Sequence, residues 1–258
     1  MALFPRIEHR RYNYTFLLNT FAALHFEERN GQNCDAYVKD RLKDFLMDNY
    51  NTDGEHSYPE QSLQVESDDH VITYEFAPTY ALVKVGRPQY TTFGKSMLPH
   101  VARLRRFVFK VLGLESVKRV DVRKISLLPM LIEGEAPTAT MARKMMGKIL
   151  SDNVLSLVTL RELAGVNNSV GPFTLHLMED KETQFKYEIL LGLVKDVKRE
   201  NIYNVVLDAR CSYAPSEGIG QSDVEDKLSD MSRSLYDLYH WAVRQHVIDF
   251  MRGAEANG

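Results

Sequence analysis

The stretch from Ser222 to Arg252 constrains this chain most. Val224, Leu228, Met231, Leu235, Leu238 and Ala242 recur at alternating steps of four and three, which on an α-helix gathers them into one apolar stripe. Ser222 with Glu225 reads as a capping box and Gly253 as a stop. The spacing predicts a single helix over 222–252, about 45 Å long at about 1.5 Å per residue. Towards its end Tyr236, Tyr239, Trp241, Val243, Val247, Ile248, Phe250 and Met251 widen the stripe until little polar surface remains. Such an end must be covered. Tyr239, Trp241, Ile248 and Phe250 are therefore the residues expected to contact a protein partner or a second copy of the chain.

The rest of the chain must supply what that helix packs against. Alternation from Asn13 to Glu27, with Tyr14, Phe16, Leu18, Thr20, Ala22, Leu24 and Phe26 at a spacing of two, predicts a long strand covered on both sides. An amphipathic helix follows from Asp35 to Tyr50, then three short strands, Leu63 to Glu66, Val71 to Phe76 and Ala81 to Val85, joined by turn signals. A second long helix is expected from Ser96 to Leu112, with Pro99 confined to its first turn because proline in a helix interior costs ~3 kcal/mol. Val117 to Ile132 reads as a strand that ends in a bend at Pro129, and Thr140 to Leu150 as a helix. Val154 to Leu163, Phe173 to Glu179, Phe185 to Val197 and Tyr203 to Tyr213 read as strands linked by polar hairpin turns. Meanders with few helices between them argue for an α+β fold, an antiparallel sheet with long helices on one face. The expectation is one domain over 1–258, built from two related halves, 1–134 and 135–258.

Composition enters where function classes must be excluded. The longest apolar runs fall far short of the ~20 residues of a membrane-spanning helix, so no membrane partner is expected. The first residues, Met1-Ala2-Leu3-Phe4-Pro5-Arg6, lack the apolar core of a signal peptide. Cys34 and Cys211 are too few for a disulfide framework and too far apart for a zinc motif, so the expected setting is cytoplasmic. The net charge of −3 hides an uneven distribution: Lys95 to Leu150 holds 12 Lys and Arg against 4 Asp and Glu.

No catalytic constellation stands out. Glu217-Gly218-Ile219-Gly220 lacks the Lys-Ser or Lys-Thr of a phosphate loop. The eight histidines form no His-x-x-x-His pair, and no catalytic residue, metal or cofactor is expected. A site from Asp237, His240 and Asp208 is the one enzymatic arrangement worth checking, against the plainer reading of a histidine bonded to Asp237. The basic segment carries a distinct implication: Arg103, Arg106 and Lys110 share a helix face, with Arg119, Arg123 and Lys124 on the next strand. Brought together, these six make a surface for phosphate or nucleic acid.

The region Tyr90 to Met130, a helix followed by Val120-Asp121-Val122-Arg123-Lys124-Ile125-Ser126, and the ending Leu238-Tyr239-His240-Trp241-Ala242 through Phe250-Met251 resemble a sporadically distributed family of uncharacterised bacterial proteins of about this length. That resemblance implies a bacterial origin, in a mobile-element or defence-type locus, and brings no activity with it. The first reading is thus a non-enzymatic cytoplasmic interaction protein that contacts a protein partner or itself. Nucleic-acid or nucleotide-phosphate binding through residues 95–150 is the alternative.

Overall fold

A computed structural model describes residues 3–8, 15–27, 63–67, 69–131, 139–157, 174–196, 198–199 and 201–253. The helix expected over 35–50, Cys34, the junction of the expected halves at 134–135 and most of the strand expected over 154–163 lie outside them. The described strands are β1 (Leu17–His25), β2 (Leu63–Glu66), β3 (Ile72–Ala77), β4 (Tyr80–Gly86), β5 (Ser116–Val117), β6 (Arg119–Leu131), β7 (Thr174–Asp180), β8 (Phe185–Lys195), β9 (Ile202–Tyr213) and β10 (Ile219–Gly220). The α-helices are α1 (Leu98–Arg106), α2 (Ala139–Met146), α3 (Asp152–Leu155), α4 (Val224–Ala242) and α5 (Gln245–Arg252). Eight strands form one antiparallel sheet in the order β2-β3-β4-β1-β6-β9-β8-β7, and β5 pairs with β10. The α+β class read from the sequence is the class observed.

The order reads alike from both ends. A three-strand meander, β2-β3-β4 or β7-β8-β9, places its last strand beside an earlier one, β1 or β6. The chain forms two compact units: unit 1 takes Met1–Leu18, Lys124–Cys211 and Arg233–Gly258, and unit 2 takes Asn19–Arg123 and Ser212–Ser232.

In unit 2 the register sets Thr20, Ala22 and Leu24 opposite Val85, Val83 and Ala81, and those in turn opposite Ile72, Tyr74 and Phe76. All nine are buried, because strand side chains alternate and this parity lies under α1. Val101, Leu104, Phe107 and Val108 cover it, with the Phe76 and Phe107 rings edge to face at 5.0 Å. The helical run resolves the placing of Pro99. Thr92 caps it by accepting the Lys95 amide, a π-helical turn over Phe93–Met97 comes first, and Pro99 falls in the first turn of α1. A second π turn, Phe107–Val111, closes the run with Leu112 donating to Phe107.

Unit 1 repeats the plan with different material. Phe185, Tyr187, Ile189, Leu191 and Leu193 of β8 and Val205, Leu207, Ala209 and Cys211 of β9 are buried, as are Leu235, Leu238 and Ala242 of α4. The Tyr187 hydroxyl meets Ser234 Oγ on that helix at 2.5 Å.

Four expectations need correction. The stretch 222–252 is two helices, broken at Val243–Arg244, because Val243 forms a β-bridge with Leu150 and the Arg244 amide donates to the Ile149 carbonyl. The capping box is not formed: Glu225 pairs with Arg105 at 2.8 Å, and the Ser222 hydroxyl donates to Asp223. Gly253 does end the second helix, at φ 76°. Val154, read as the start of a strand, lies in the helical turn α3, since a short apolar run fits either period. Pro129 does not end the strand, as β6 runs through it to Leu131.

Candidate functional site

The six basic residues do not make one surface. Arg106 and Lys110 are exposed on a helical run whose other side is buried against β3 and β4. Arg103 lies closer in, where its charge helps to lower the half-buried His100; burial is the larger cause, and together they bring the imidazole down to about 4. His100, neutral at ordinary pH, shares a hydrogen bond between its Nδ1 and the Tyr74 hydroxyl at 2.6 Å. On β6, Arg123 lies over the Phe21 ring, 5.4 Å from its centroid. Phe21 pairs with Lys84, and His25 with Tyr80, the parity opposite to the one that α1 covers. Arg119 and Arg123 thus stand on one side of these strands and the α1 arginines on the other.

On the side of Arg119 and Arg123 the strands assemble an acid–base cluster absent from the sequence reading. Asp121, buried at 4% exposure, accepts His25 Nε2 at 2.7 Å with one oxygen and faces Arg119 Nε at 3.2 Å with the other. Arg119 also reaches the imidazole, 3.2 Å from Nε2. Tyr80 packs its ring against His25 at 5.7 Å and donates its hydroxyl to Glu75. Burial, then that carboxylate, raise the phenol to about 12. The signal for the cluster was an aspartate between two valines, Val120 and Val122, and a histidine closing an alternating run. What the sequence lacked was the register that joins positions 25 and 121.

Lys124 belongs to unit 1 and to the other parity of β6. Adjacent residues on a strand face opposite ways, so Arg123 is exposed while Lys124 turns inward. Burial lowers its ammonium to about 8, opposed by the nearby charges of Asp237 and Cys211. Around them lie Tyr187, which contacts Cys211 and is pushed upward chiefly by burial, and Asp237, which accepts the Ile7 amide at 3.2 Å. The Cys211 thiol is buried and in no disulfide among the described residues. Lys124 is therefore removed from the proposed phosphate surface.

The arrangement of Asp237, His240 and Asp208 is not assembled. His240 stacks on Tyr236 with centroids 4.6 Å apart, and Asp208, three residues from Cys211 on β9, faces the other side from the Lys124 cluster. Among the described residues no group of three His, Cys, Asp or Glu is placed to hold a metal ion. No described helix is long and apolar enough to cross a membrane.

The residues expected to contact a partner are mostly used within unit 1. Ile248 is fully buried. Tyr239, raised by burial, donates to Met251 Sδ at 3.4 Å. Trp241 lies against Phe4 at 5.3 Å. Phe250 alone is largely exposed, at 57%, though it stacks on Phe16 at 6.3 Å. The exposed apolar surface that the sequence reading missed is on β7, where Leu175 and Leu177 are 59% and 72% exposed.

No protein-family model matches this sequence, and no curated protein matches it. A solved structure described as "KH domains" aligns with 91% of this chain and with 64% of its own length, at 10% identity and a TM-score of 0.20. The chain thus spans less than two thirds of that structure, and a likeness so slight defines no shared fold.

Proposed function

We propose that the protein is a non-enzymatic cytoplasmic interaction protein that associates with a second copy of itself through unit 1. One observation carries this reading: every largely exposed, bulky apolar side chain among the described residues, Leu18, Leu131, Met141, Leu175, Leu177 and Phe250, belongs to unit 1. Leu175 and Leu177 share a side of β7, where the register places Leu190 and Glu188 of β8 opposite them. Apolar side chains clustered at a surface mark contact sites, and a two-fold contact uses the same patch on both copies. Multi-angle light scattering tests it. The wild-type chain should run at twice its monomer mass, and Leu175→Asp with Leu177→Asp should return it to one copy. A wild-type monomer at high micromolar concentration overturns the reading.

Phosphate or nucleic-acid binding is the second reading, favoured by the Arg123–Phe21 stack beside Arg119 and Lys84. An exposed arginine over a half-buried aromatic suits single-stranded ligands. It requires salt-dependent binding to RNA or single-stranded DNA that falls with Arg123→Glu.

A further inference from the structure

The segment Leu3–Ile7 has neither strand nor helix, yet it carries one of the best-packed aromatics of unit 1. Phe4 is 4% exposed. Its ring meets Tyr187 edge to face at 5.0 Å and Trp241 at 5.3 Å. On either side of this plug a main-chain amide meets a buried carboxylate: Leu3 donates to Asp180 Oδ2 at 3.5 Å and Ile7 to Asp237 Oδ1 at 3.2 Å. Pro5 and Arg6, between the plug and the second amide, are exposed.

We propose that Leu3–Ile7 occupies, in cis, a peptide-binding slot of unit 1 whose trans ligand is an extended peptide with one bulky aromatic side chain. The chemistry is that of peptide recognition. Main-chain amides, which any peptide has, answer the two carboxylates, and a single aromatic ring selects among peptides. Asp180 and Asp237 are both buried, at 6% and 7% exposure, and a buried carboxylate is costly without donors. Asp180 keeps the amides of Glu182 and Thr183 when the segment leaves. Asp237 keeps the nearby charge of Lys124 and loses the Ile7 amide, which the main chain of an incoming peptide replaces. The tethered segment competes at an effective concentration of ~1 mM, so the slot opens only to a ligand that outbids its own chain. Asp180 ends β7 at the parity opposite to Leu175 and Leu177, so the slot does not depend on self-association.

The test uses the full chain and its only tryptophan, Trp241, as reporter. Phe4→Ala should shift Trp241 emission, and a synthetic peptide of residues 1–8 should then titrate it back. It should bind the variant at least ~10-fold more tightly than the wild type, because the competing plug is gone. A peptide with alanine at the fourth position should not bind. The titration is run at a concentration where light scattering gives one copy, so its failure leaves the self-association reading standing. If Phe4→Ala does not fold, Phe4→Leu serves in its place. Equal affinity for variant and wild type, no response in a folded variant, or equal binding of the alanine peptide overturns the proposal.

Discussion

Units 1 and 2 follow one strand order but stabilise it differently. In unit 2 the aromatic contact over the meander is made between a strand and the covering helix, Phe76 against Phe107. In unit 1 the comparable place is taken by Phe4, delivered by an irregular segment onto Tyr187 and Trp241. On its covering helix unit 2 carries a neutral histidine, His100, while unit 1 turns a lysine, Lys124, inward from a strand. The outer surfaces diverge too, with exposed Arg106, Lys110 and Arg123 on unit 2 and exposed leucines on unit 1. The common topology fixes which positions are covered, while the side chains at those positions decide whether a unit is self-sufficient. Unit 2 takes its aromatic cover, Phe107, from the helical run that follows β4 in sequence; unit 1 borrows Phe4 from a segment far away along the chain to complete the cover that α4 begins.

The largest expected effect tests that contrast. Phe107→Ala leaves a cavity between α1 and β3 that no other element can fill, and should cost about 3–5 kcal/mol in urea unfolding. If Phe107→Ala and Phe4→Ala cost the same, the distinction between a built-in and a borrowed cover fails.

A middling effect is expected at Asp121. Replacing it with asparagine removes the charge that His25 and Arg119 share, and bonds to a charged group are worth about 1.5–3 kcal/mol each. Because His25 and Arg119 keep access to water, a loss of about 1–2 kcal/mol is expected. An unchanged midpoint would make the cluster incidental to stability.

How much of this was legible follows from what each feature depends on. The strands β2, β3, β4, β8 and β9 come from alternation and turn residues, both local, and were placed to within one or two residues. The break at Val243–Arg244 was not, because no proline or glycine marks it and its cause is a bridge to Leu150. Glu225 looked like a capping partner for Ser222 three residues away, whereas Arg105 claims it across the fold. Local charge patterns were over-read in the same way at Lys124: Arg123-Lys124 looked like one basic pair, although strand geometry sends neighbours to opposite sides. His25 and Asp121 were each visible, but not their partnership.

The smallest effect concerns two groups whose protonated forms burial disfavours, His100 and Lys124, which act in different pH ranges and in the same direction. His100 has a folded pKa of about 4 against about 6.5 unfolded. Between these values the unfolded chain binds more protons, so stability is full above 6.5 and is lost as pH falls towards 4. Lys124 has a folded pKa of about 8 against about 10.4 unfolded. Between these values the unfolded chain again holds the extra proton, so stability rises as pH goes from 8 towards 10.4. Both groups are partly exposed, and screening reduces each contribution to on the order of 1 kcal/mol. Thermal unfolding across pH should show two rising segments, with His100→Gln flattening the acid one and Lys124→Met the alkaline one. Either variant flattening the other's segment would mean that the two units do not titrate separately.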